Sequence, residues 1–178
     1  VLLDATGTVG RLADDLSIST VDFWVASGHA YLRAARGVTA CAVRDSSDAG
    51  ALRSDPSFCG LNQAYGEEAE AFGTLAFVAA FGAACGYLSA VGLPTVQSRL
   101  SLLVQELRIG LSSIPHLDVL PPDDTEGSVA VLFRASDELQ LSVPDFERLL
   151  VGEGITVGSS ASALQAHVHY YNSLEEIQ

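Results

Sequence analysis

From Ala71 to Ser98 the sequence carries no charged residue, and eighteen of those positions are apolar. A run of that length either crosses a bilayer or lies against other protein. Gly73, Gly82, Gly86, Gly92 and Pro94 interrupt it, Ala outweighs Leu and Ile, and neither end carries a Lys or Arg cluster. These features disfavour a membrane span. The run therefore reads as a helix over about residues 74–90, buried in a core or a subunit interface. A second helix is predicted over about 95–112. There Val96, Leu100, Leu103, Leu107 and Leu111 recur at spacings of four, three, four and four, which is one face.

Around these helices the signals alternate. Val1-Leu2-Leu3 reads as a buried parallel strand that delivers Asp4 at its C-terminal end, where open α/β sheets place ligand chemistry. Val21–Ala26 and Val38–Val43 read as further strands, and 45–70 as loop with short helical pieces. After Pro115 come a short strand at Val119-Leu120, a strand from Ser128 to Arg134 and a helix begun by Ser142-Val143-Pro144-Asp145. Phe146, Leu149 and Leu150 would form the apolar side of that helix. Short strands at Ile155–Val157 and Ala166–Tyr170 follow, and Ser173 with Glu176 forms a capping box for a final helix. The pattern is α/β with a second, smaller α+β subdomain.

The chain has 178 residues, enough for a substantial core, and opens without Met directly on a strand, which reads as a segment of a longer protein. Twenty-two acids oppose nine bases, a net charge of −13, so nucleic acid and anionic membranes are not expected partners. All nine bases are Arg; there is no Lys. Chemistry that needs a lysine amine is therefore closed to this chain alone. Cys41, Cys59 and Cys85 form neither a disulfide framework nor a metal-like spacing, which points to a reducing, intracellular compartment. Cys59 has no neighbouring cation to activate it as a nucleophile. His167 and His169 would alternate on one strand face beside Tyr171, a polar surface rather than a metal site, since no third ligand is near in sequence.

Asp4-Ala5-Thr6-Gly7-Thr8-Val9-Gly10-Arg11, Val21-Asp22-Phe23, Ser27-Gly28-His29 and Arg36-Gly37 together resemble the centre of the class V aminotransferase family. The nearest branch is the cysteine desulfurases and selenocysteine lyases, pyridoxal-phosphate (PLP) enzymes of fold type I. Gly60-Leu61-Asn62-Gln63 and Gly73-Thr74-Leu75 resemble two further family elements, and Tyr170–Ile177 resembles its closing strand-to-helix turn. The resemblance covers essentially the whole chain as the second half of a full-length member. It implies a remnant of the PLP-binding large domain over 1–75, with part of a parallel or mixed sheet. Connecting helices over 76–113 and a small α+β C-terminal subdomain over 114–178 would follow.

The resemblance also implies roles. Asp4 would hold the pyridine nitrogen protonated, and Ser27 and His29 would contact the cofactor phosphate. Gln63 and Thr74 would complete the site of a neighbour across a homodimer or heterodimer interface. Read from the residues alone, Asp4 equally suits a turn cap, Ser27 and His29 a tight turn about Gly28, and Thr74 a helix N-cap.

The departures are as specific as the matches. The Schiff-base lysine position is Ala30, and the carboxylate-binding arginine position is Gln165. The position after Asp4-Ala5-Thr6, Gln or His in the family, is Gly7, and Gly158–Ala163 lacks the nucleophilic cysteine of desulfurases. Three readings follow. The chain is an inactive member kept as scaffold or dimer partner, a pseudo-subunit lending Thr74 and Gln63 to an active paralogue, or a segment of a genuine PLP-dependent lyase or transferase.

Overall fold

The computed structural model describes residues 1–13, 20–43, 67–122 and 128–177. Most of the predicted loop over 45–70, including Cys59 and Gln63, lies outside the described residues. The chain divides into two compact units, 1–94 and 95–178. The boundary thus falls inside the segment 76–113 that the sequence groups as connecting helices.

Unit 1 holds a three-stranded sheet in the order β1-β2-β3, with β1 Leu2–Asp4, β2 Phe23–Ser27 and β3 Thr39–Val43. β1 runs parallel to β2, with Asp4 opposite Val25, and β3 runs antiparallel to β2. The parallel strand predicted at the start is present, but it is not buried: Leu2 is 66% exposed and Leu3 38%. The physical reason is position, since β1 is an edge strand with a single neighbour.

Helix α1, Glu67–Val91, carries most of the charge-free run. Of the two burials expected for this helix, in a core or in a subunit interface, the first is corrected here. Among residues 76–91 only Leu88 is buried, while Val78, Tyr87 and Val91 are exposed. Ala and Gly surround the helix on every side, so no stripe of large side chains directs one face inward. Gly92, at φ +86°, ends it with its N–H bonded to the Leu88 carbonyl at 2.8 Å, the left-handed stop that glycine adopts without strain. Among the described residues no single helix is long and apolar enough to cross a membrane.

Unit 2 takes up most of helix α2, Leu93–Ser112. The predicted stripe holds: Val96, Leu100 and Leu103 are buried, and Leu107 and Leu111 are half-buried. The unit's sheet has the order β4-β5-β7-β6, with every pair antiparallel. Its strands are β4 Leu117–Val119, β5 Ala130–Ala135, β6 Gly158–Ser159 and β7 Leu164–His167. β5 alternates strictly, with Val131, Phe133 and Ala135 inward, so one face carries the core and the other stays open.

Helix α3, Val143–Gly152, starts where the sequence signal puts it. The Ser142 Oγ accepts the Asp145 N–H at 3.3 Å, and the Ser142 hydroxyl is bonded to the Asp145 carboxylate. Phe146 meets Phe133 edge-to-face at 6.1 Å, but Leu149 is 59% exposed and does not join the packed side. Several strand limits shift, and the short strand expected at Val119-Leu120 falls at Leu117–Val119. Ile155–Val157 is irregular and the pairing begins at Gly158, while β7 covers Leu164–His167 rather than Ala166–Tyr170. The Ser173–Glu176 box closes as predicted, with the Ser173 N–H on Glu176 Oε2 at 2.9 Å and the Glu176 N–H on Ser173 Oγ at 3.2 Å. It caps a single turn among the described residues, not a helix.

Candidate functional site

The two parallel strands of unit 1 end side by side, and the chain turns immediately after each. After β1, the Ala5 N–H continues the pairing to the Val25 carbonyl at 2.7 Å. The Thr8 and Val9 N–H groups then both fold back onto the Ala5 carbonyl at 3.0 Å. Asp4 caps this turn, accepting the Thr6 N–H at 3.0 Å. Hydrogen bonds from the Thr6 backbone and then from its side chain hold the Asp4 carboxyl below its ordinary value, although the group is fully exposed. Thr6 also links the strands, because its Oγ1 accepts the Ser27 N–H at 3.0 Å.

Two glycines fix the shape. Gly10 sits at φ +82°, and a Cβ there would lie 2.9 Å from the backbone of Tyr31 and Leu32. Only glycine satisfies both demands. A Cβ on Gly28 would lie 2.9 Å from the Phe81 ring of α1, so this turn is seated directly on the helix. Beside Gly10 the Arg11 guanidinium lies over the Tyr31 ring, 5.6 Å from its centre.

Ser27, His29 and Ala30 share the turn after β2. The Ser27 hydroxyl is bonded to His29 Nδ1, and the Gly28 N–H donates to the Val38 carbonyl at 2.8 Å. Asp4, Ser27 and His29 are thus brought to one end of the sheet. Gly7 lies in the same turn, and a Cβ there would meet nothing within 4 Å; crowding is not what removes a side chain at that position.

Thr74 lies within α1, seven residues past its start, so the N-cap reading does not hold. Gln165 lies in β7 of unit 2, opposite Leu132 of β5 and Gly158 of β6. His167 ends β7, and His169 is off the strand, stacked on the Tyr171 ring at 4.1 Å, so the two histidines do not alternate on one strand face. Among the described residues no group of three or more metal-ligand side chains occurs.

The residues present do not fit a covalently held PLP. Ala30 offers a methyl group at the position where the family resemblance implies a lysine amine, and the sequence has no lysine. Asp4 is open to water with one oxygen engaged by Thr6, and Ser27 and His29 satisfy each other. No step through the cofactor is therefore derived. Arg108 of α2 and Ser128, which the sequence did not signal, line a cavity of unit 2 with Gln165. Arg108 has no acid three or four positions away on its helix, a signal that its partner must come from outside the helix.

The fold is shared with solved structures. The apo cysteine desulfurase of Thermococcus onnurineus NA1 superposes with a TM-score of 0.71 at 18% identity, over 99% of this chain and 49% of that one. Alanine–glyoxylate aminotransferase from Nostoc sp. gives 0.74 at 16% identity, over 99% and 50%. A lysine-to-alanine variant of C-DES, with glycine covalently linked to the PLP cofactor, gives 0.66 at 20% identity, over 96% and 47%. The chain therefore spans about half the length of the structures it matches. No curated protein sequence matches it. The aminotransferase class-V family model matches residues 1–175, almost the entire sequence, and the chain belongs to that family.

Proposed function

We propose that this chain is a non-catalytic, cysteine desulfurase-like member of its family, acting in a reducing intracellular compartment as a scaffold that pairs with a second copy. One observation carries the reading: Ala30 stands at the Schiff-base position in a sequence without lysine. A positioned proton-transfer group is worth about 10²- to 10⁴-fold in rate, and the lysine supplies the covalent tether as well. Gln165, Gly7 and the cysteine-free segment Gly158–Ala163 add further losses, which need not sum.

What the residues of unit 1 do in this reading is hold shape. Thr6 ties the two strand ends, Gly10 and Gly28 permit close packing, and Asp4 caps a turn. The pairing surface is supplied by α1, where Tyr87 is 54% and Val91 38% exposed one turn apart. The same exposed helix also carries Thr74, which favours a second reading: a pseudo-subunit seated against an active related chain. In that case Thr74→Ala weakens the partner's affinity for PLP, and no change in that affinity ends the second reading.

The main reading is tested by titrating the full chain with PLP and removing free cofactor by gel filtration. The expected outcome is a protein fraction without the visible absorbance of a Schiff base. Retention of a stoichiometric visible band overturns it.

A further inference from the structure

We draw no further inference here: the strongest candidate, the open apolar groove of unit 1 walled by Val9, Gly10, Leu32, Cys85 and Leu88, carries none because nothing in the structure shows what covers it.

Discussion

The two units solve the problem of burial differently. Unit 2 encloses a continuous core from four directions: Val96, Leu100 and Leu103 of α2, Val131 and Phe133 of β5, Leu164 of β7, and Val129 and Val168 from the flanking chain. Unit 1 buries only Ala5, Ala26, Leu32 and Leu88 among its described apolar side chains, while Leu2, Val78, Tyr87 and Val91 face water. Among the described residues, the edge strand β1 and the helix segment 76–91 leave large apolar side chains exposed. The difference teaches that apolar composition does not by itself make a core. In unit 1 the apolar side chains Val78, Tyr87 and Val91 are exposed along one helix.

The sharpest way to break this contrast is to cut each core at one leucine. Leu103→Ala, at a side chain with no exposure, should lower the stability of unit 2 by about 3 kcal/mol. Leu88→Ala borders the open groove lined by Val9, Gly10 and Leu32, can relax into it, and should cost about 2 kcal/mol. Hydrogen exchange resolved by peptide reads the two units separately, and equal losses would erase the distinction. Gly10→Ala comes next, because it forces a left-handed residue against the Tyr31–Leu32 backbone. About 2 kcal/mol of destabilisation is expected, confined to unit 1.

Association of α1 is a smaller effect but bears on function. Sedimentation equilibrium should show reversible self-association of the chain, weakened about tenfold by Tyr87→Arg. A chain that stays monomeric at every concentration would remove the scaffold role. Smaller still is the pH response of the closing turn in unit 2. The Ser173 N–H and then the Asn172 side chain hold the Glu176 carboxyl below its ordinary value of 4.5, against an opposing push from Glu175. Its contribution is therefore complete above that value and is lost as pH falls through the lower folded value. The Ser173 amide resonance should follow this loss, and Glu176→Gln should reduce the pH response to the part that Glu175, also bonded to Ser173, contributes.

Much of unit 2 was legible because its signals are local. The α2 stripe is a period-3.6 pattern, the α3 start is an N-cap with proline behind it, and the closing box is two residues three apart. Strand limits were less legible, since pairing decides them. Gly158 and Ser159 have little strand propensity yet pair with Gln165 and Leu164, whereas the β-branched Ile155–Val157 finds no partner strand. β7 stops at His167 because the chain then turns, with the His169 N–H on the Asn172 side chain at 2.7 Å. The end-of-sheet cluster of Asp4, Ser27 and His29 was readable from family resemblance, and the turn cap that the residues alone suggested for Asp4 is present in its bond to the Thr6 N–H. The Arg108 cavity could not be read from the sequence, because it joins a helix, a loop and two strands that only the sheet order brings together.

The most direct test of the account is borohydride reduction of the full chain mixed with PLP, followed by peptide mass mapping. The account predicts no pyridoxyl group on any side chain, including those of the turn from Ser27 to Arg33. A stoichiometric pyridoxyl adduct on a side chain would contradict it.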